Sequence, residues 1–245
     1  MPRTGKIGTT LKRIYTARMS LYGDKASQLY ELLLKKGIKT AEGTIHFDFL
    51  DVNVEVSDKS SVGNLLQEWL GAWMEKEGFY HREEVNSQIP PDFYLGKDDK
   101  HDLLEIKSFD YSKSPNFDVA NFDAYARSLR TDSFRLDADY LIFGYSLENG
   151  RISIKDLWLK KIWEITCPST GYSLKIQSKQ KVIYNIRPYN FKSSSGRGFQ
   201  PFENRKDFIA ALHNTIAVYR EDMDDANLWL EEVSANYQEF SGKSL

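Results

Sequence analysis

The chain has 245 residues, enough for one large domain or two small ones with a buried core. Hydrophobic residues make up 41% and charged residues 28%, the balance of a soluble globular protein; the formal net charge of −2 argues against a basic nucleic-acid coat protein but leaves room for a DNA enzyme with a basic cleft around an acidic centre. A single cysteine, Cys167, excludes an intramolecular disulfide and a Cys-based zinc site. No apolar signal region follows Met1 to Lys6, and no apolar run approaches the ~20 residues that span a membrane, so a reducing, cytoplasmic setting is expected.

In chain order, residues 24–36 read as a helix with Leu29, Leu32 and Leu33 on one side. Residues 45–56 read as strand, because Ile45, Phe47 and Phe49 alternate with polar positions, as do Val52, Val54 and Val56. The clearest helix runs from about Ser61 to Glu77, where Val62, Leu65, Leu66, Trp69, Leu70 and Trp73 recur on one face; that spacing assigns both tryptophans to the core, and Gly78 ends the helix. Pro90 and Pro91 open a short extended segment, Asp92 to Leu95. A polar turn from Gly96 to His101 leads into a second strand, Asp102 to Phe109. Residues 118–130 read as a helix with Val119, Phe122, Ala126 and Leu129 on one face, and Tyr140 to Tyr145 as a buried strand. Further on, strands are expected at 151–155 and 174–187, a helix at 156–164, a Ser- and Gly-rich loop at 190–200, and two amphipathic helices near 205–220 and 224–240. No shift in composition marks a boundary, so one domain over 1–245 is expected.

The chemistry concentrates in the second strand. Side chains alternate faces there, so Glu105 and Lys107 point to one side while Leu104 and Ile106 point to the other, which suits a core. A turn centred between Asp98 and Asp99 pairs Leu95 with Asp102 and Asp92 with Glu105. Directly opposed side chains share a face with Cβ atoms ~5 Å apart, so this register sets two carboxylates side by side with Lys107 one step along; a slip of one residue breaks it. Adjacent carboxylates repel unless a proton or a cation joins them. A hard divalent cation is the natural partner, and Mg²⁺ favours one or two carboxylates, several waters and a substrate phosphate, with the Ile106 carbonyl as a further oxygen. Lys107 would orient the attacking water, assist its deprotonation or stabilise developing charge, and the sequence does not choose among these. Taken one at a time, Asp92 is also an ordinary turn residue, and Glu105 and Lys107 an ordinary solvated strand face. Their combination and context carry the catalytic reading.

Pro91-Asp92 followed by Glu105-Ile106-Lys107 resembles the PD-(D/E)xK nuclease superfamily, and the preceding helix and following helix–strand pair extend the likeness over about residues 60–146. The resemblance implies an α/β (mixed α+β) fold with a central mixed sheet flanked by helices, and Mg²⁺-dependent phosphodiester hydrolysis with Asp92 and Glu105 as metal ligands and Lys107 as the catalytic lysine. Size and remaining sequence look like a stand-alone type II restriction endonuclease. The stretches from Asn116 to Leu129 and Ile183 to Pro188 look like the NgoBV-type group, which is associated with GC-rich palindromes of the GGNNCC kind. Many members carry a Glu on the helix before the Asp; Glu68 is the positional candidate, although its place on the helical wheel suits a solvated surface, with Glu83 and Glu84 as alternatives.

Sequence-specific cutting also needs phosphate contacts for placement and base contacts for choice. Asn185, Arg187, Tyr189, Asn190, Lys192 and Arg197 are candidates in a segment dense in such groups, and Lys113 and Asn116 lie just beyond the catalytic strand; a plain solvated surface is the alternative for all of them. The C-terminal part, 150–245, is expected to contribute DNA recognition and dimerisation. His46, His81, His101 and His213 make no metal-spacing motif, and no Walker A, G-x-S-x-G or H-E-x-x-H pattern occurs. The leading expectation is a homodimeric type II restriction endonuclease acting on double-stranded DNA. The rivals are a structure-selective repair or recombination nuclease of the same fold, a non-catalytic DNA-binding protein and a protein-interaction module.

Overall fold

The computed structural model describes residues 21–84, 90–192 and 198–245. Helix α1 (Asp24–Lys35) buries Ala26, Leu29 and Leu33 along one face. Three short strands follow: β1 (Glu42–Thr44), β2 (His46–Phe49) and β3 (Val52–Glu55). Helix α2 (Val62–Lys76) buries Val62, Leu66, Leu70 and Met74 at a four-residue step. Gly78, at φ 69°, closes it: the Gly78 amide donates to Glu75 O at 3.0 Å and the Phe79 amide to Met74 O at 2.8 Å, the paired bonds of a Schellman stop. The two tryptophans do not belong to the core as expected. Trp69 is 37% exposed and Trp73 only partly buried. They stack on each other with ring centroids 6.0 Å apart. They occupy the row beside the buried one and meet the core from its rim, Trp69 edge-on to Phe143 with centroids 6.4 Å apart and Trp73 packed against the same cluster.

The main sheet adds β4 (Arg82–Glu83), β5 (Phe93–Tyr94), β6 (Leu103–Asp110), β8 (Asp139–Glu148) and β9 (Arg151–Lys161), in the order β1-β9-β8-β6-β5-β4. The β6–β8 pair is parallel and the others antiparallel, the mixed sheet expected from the sequence. The β6-to-β8 crossover contains β7 (Ala120–Asn121), α3 (Phe122–Ser128) and a 3₁₀ turn at Ser133–Asp137. Helix α3 is shorter than the expected 118–130 because Asn121 caps it, its side chain accepting from the Ala124 amide at 2.9 Å. The helix expected at 156–164 is instead strand: β9 stays paired with β8 as far as Lys161, and only α4 (Ile162–Ile165) is helical. The local pattern was compatible with a helix, but pairing along the whole of β8 decides the conformation.

The chain ends with β10 (Ile176–Lys179), β11 (Val182–Ile186), α5 (Arg205–Arg220) and α6 (Met223–Ser241), close to the expected bounds. Strand β11 pairs with both β10 and β7 in a small sheet of its own. Helices α1 and α2 cover one face of the main sheet, packing Leu29, Leu70 and Met74 with Leu104, Ile106, Leu141 and Phe143. On the other face Phe122, Phe208, Leu212 and Trp229 pack with Leu103, Phe109, Tyr140 and Ile142. Strand β6 is therefore buried on both sides at its ends, and its charged pair, Glu105 and Lys107, lies between Leu103 and Phe109. Among the described residues no helix is long and apolar enough to cross a membrane.

Candidate active site

The register of the β5–β6 hairpin decides what Asp92 faces. Phe93 pairs with Leu104 and Tyr94 with Leu103, and the Leu95 amide donates to Asp102 O at 2.9 Å. Continued by one residue, this register sets Asp92 opposite Glu105, as the turn centre implied. A cis peptide joins Pro90 to Pro91 just before Asp92. Two donors anchor the aspartate: the Ile106 amide reaches Oδ2 at 2.6 Å, and the Gln67 side chain of α2 donates to the same carboxylate. Lys107 Nζ donates to Glu105 Oε1 at 2.8 Å. Glu105 is 9% exposed, and its Oε2 is buried with no hydrogen-bond partner among the described residues.

The electrostatics follow from this crowding. Burial, then the neighbouring Glu105 carboxylate, push the Asp92 pKa up to about 7, against the downward pull of the Ile106 amide, Lys107 and Gln67. For Lys107, burial works to lower the pKa, but the Glu105 carboxylate and then Asp92 outweigh it, so the ammonium is held above its usual value. Two carboxylates share one ammonium, leaving a net negative charge when all three are ionised. A buried, unpartnered Oε2 beside a second crowded carboxylate is a donor set that fits a divalent metal. The described residues contain no group of three or more His, Cys, Asp or Glu placed to hold an ion. Two carboxylates with the Ile106 carbonyl suit Mg²⁺, which keeps several of its waters.

These groups open into a cleft of about 1120 Å³. Of the residues singled out in the sequence, Asp92, Glu105, Ile106, Lys107, Lys113 and Asn116 line it. Glu68 is exposed and points elsewhere, and Glu83 and Glu84 do not line it either; Glu84 instead accepts from Tyr94 Oη at 2.8 Å. Asn185, Arg187, Tyr189, Asn190 and Lys192 also lie off the lining. Arg187 is engaged with Asp118 and with the Asn116 carbonyl. Lys192 donates to the carbonyls of Tyr111 and Lys113 and sits 4.6 Å from the Tyr111 ring centroid. Both cations thus brace the 111–118 segment that walls the cleft. Asn185 bonds Gln177, and the Tyr189 amide donates to Ile165 O. Arg197 lies outside the described residues.

Sequence reasoning missed the α2 wall. Ser60, Gly63, Asn64 and Gln67 all line the cleft, and their three-and-four spacing of small or polar residues beside an apolar stripe was a readable signal. It also missed Tyr125 and Arg135, which line the cleft with Tyr125 Oη and Arg135 Nε buried and without hydrogen-bond partners among the described residues. Nothing local marks these two, because α3 and the 3₁₀ turn bring them in through the crossover.

The chain matches known proteins along nearly all its length. The family model described as NgoBV restriction endonuclease covers residues 24–245. The type II restriction enzyme NlaIV of Neisseria lactamica is 38% identical over 223 residues, 90% of this chain and 92% of that protein. The type II restriction enzyme NgoBV of Neisseria gonorrhoeae is 39% identical over 161 residues, 63% of this chain and 90% of that protein. The solved structure of NlaIV restriction endonuclease superposes with a TM-score of 0.84 at 38% identity, covering 90% of this chain and 91% of that one. With a pair of apposed carboxylates and a lysine in a cleft at the centre of the shared fold, the chain belongs to the NgoBV restriction endonuclease family.

Proposed function

We propose that this type II restriction endonuclease cuts double-stranded DNA with Asp92, Glu105 and Lys107, with Mg²⁺ held by the two carboxylates and the Ile106 carbonyl. The observation that carries the reading is the apposition of Asp92 and Glu105 across the hairpin, with Glu105 Oε2 buried and unpartnered. When bound, Mg²⁺ lowers the pKa of a coordinated water and neutralises charge on the phosphate oxygens. Lys107 is an ammonium at neutral pH, which suits it to orient the attacking water and to stabilise charge developing on the phosphate. The Ile106 amide and Gln67 hold the Asp92 carboxylate in place.

Lys113 and Asn116 contact the duplex beside the scissile phosphate, and the C-terminal part of the single domain supports recognition by bracing the 111–118 segment through Arg187 and Lys192. The target is a short GC-rich palindrome, cut by a homodimer whose two active sites each take one strand. Incubation of several plasmids with Mg²⁺, comparing the natural protein with Lys107→Ala and Asp92→Ala, tests this. Discrete fragments from the natural protein alone support both assignments. Cleavage by either variant at the natural rate places the chemistry elsewhere.

A further inference from the structure

Every residue from His46 to Glu55 is exposed, yet this stretch is rich in large apolar side chains. Among the described residues, strands β2 and β3 pair only with each other. Phe47 opposes Val54 and Phe49 opposes Val52; opposed side chains, and those two apart along a strand, share a face. The hairpin therefore has one wholly apolar face, with Phe47 58%, Phe49 64%, Val52 60% and Val54 50% exposed and the two phenyl rings stacked at 6.2 Å. Its tip is as unusual. Leu50 (φ 46°) and Asp51 (φ 64°) both take the left-handed conformation that such turns normally give to Asn or Gly, and Leu50 is 81% exposed. A two-stranded hairpin is marginal in water, and a contiguous exposed apolar face on one marks an interaction site.

We propose that this hairpin is a dimerisation arm, its apolar face packing against the same face of a second copy of this chain. The proposal rests on the reading of the chain as an enzyme that cuts both strands of a palindrome. Three observations choose the occupant. The hairpin carries Asp48, Asp51 and Glu55 and no Lys or Arg, so it repels a phosphate backbone. Its root, where Arg151 and Lys155 lie among Glu42, Glu55 and Glu148, is no basic patch either. The four-residue face is self-complementary, as a two-fold interface requires. Its position also suits the task. Ile45 bonds the Gly150 carbonyl at 2.9 Å. From Glu55 the chain soon reaches Lys59, which bonds Asp110 Oδ2 at 2.7 Å and, with Ser60, lines the end of the active-site cleft. The hairpin is thus tied to the β8–β9 turn at one side and, through Lys59 and Ser60, to the cleft-lining segment at the other.

Sedimentation velocity on the full chain over a range of concentrations, with supercoiled plasmid cleavage measured in parallel, tests the proposal. The natural protein is expected to be a dimer. The double variant Phe47→Ser/Phe49→Ser is expected to raise the dimer dissociation constant at least about 100-fold, since each lost anchor counts twice across a two-fold axis. Its far-UV circular dichroism should be unchanged, because the hairpin belongs to neither core, and it should nick plasmid where the natural protein linearises it. Val52→Asn/Val54→Asn, on the other strand, should behave alike. A natural protein that is monomeric throughout overturns the proposal, as do variants that dimerise normally. Lower DNA affinity with an unaltered dimer overturns it too, assigning the face to DNA. If the variants dissociate but no plasmid is cut even by the natural protein, the arm stands and the nuclease reading falls.

Discussion

Lys107 Nζ lies 2.8 Å from Glu105 Oε1, two side chains leaving the same face of β6 toward Asp92 on the neighbouring strand. If Lys107 acts on the attacking water or the phosphate, Lys107→Ala lowers the cleavage rate by about 10²–10⁴-fold. It should leave DNA binding within a few-fold, and a filter-binding assay with divalent ions chelated, run beside single-turnover cleavage, separates the two.

If Asp92 holds the metal, its pKa of about 7 sets metal and proton in competition for one carboxylate. Cleavage should decline below pH 7, and the midpoint of the decline should move to lower pH as Mg²⁺ is raised. The stability linkage has a definite sign. The folded chain holds this proton more tightly than the unfolded chain, so without metal the stability contribution is fully present near pH 4 and is lost as pH rises through about 7. In chelator at pH 8, Asp92→Asn should raise the thermal midpoint by about 2–4 °C, the change that ~1 kcal/mol produces in a chain of this size, and by less at pH 5. A midpoint equally raised at both pH values refutes the assignment.

Gln67 and Glu68 are neighbours on α2 with opposite fates: the first donates to Asp92 and the second faces solvent. Gln67→Ala should reduce cleavage or apparent metal affinity by about 10–100-fold, as loss of a ligand's supporting hydrogen bond does, while Glu68→Ala leaves both unchanged. Mg²⁺ titration of the cleavage rate distinguishes them.

Lys113 and Arg187 should fail differently. Lys113 is exposed on the cleft wall, so Lys113→Ala should reduce the slope of log affinity against log salt by about one phosphate contact. Arg187 is held by Asp118 and the Asn116 carbonyl, so Arg187→Ala should weaken binding through a loosened wall and keep the natural salt slope.

Behind the site, Trp229 is fully buried and its indole N–H donates to Ala126 O at 2.6 Å, tying α6 to α3. Trp229→Ala removes the ring and orphans that carbonyl, so it should destabilise the fold by about 3–5 kcal/mol, read from urea denaturation.

Much of this was legible in the chain. The turn between Asp98 and Asp99 set the hairpin register, and period-two alternation put Glu105 and Lys107 on one face. The stop at Gly78 and the two C-terminal helices followed from local capping and amphipathic spacing. These are short-range properties, and local sequence carries them. The strand β9 was not legible over its full length, because residues 156–161 are extended through pairing with β8 rather than by their own preference.

By itself, then, the sequence determined the hairpin that brings Asp92 and Glu105 together and the identity of its charged groups, since neighbours across a tight turn are also near in the chain. Tertiary structure alone decided which other residues reach the cleft. Gln67 rather than Glu68 meets Asp92, Tyr125 and Arg135 enter through the crossover, and Arg187 and Lys192 brace a wall. It also decided that the alternating apolar residues of β2 and β3 are exposed rather than packed against the other described elements: alternation specifies a strand with an apolar face, but only the packing of every other element determines whether anything lies against it.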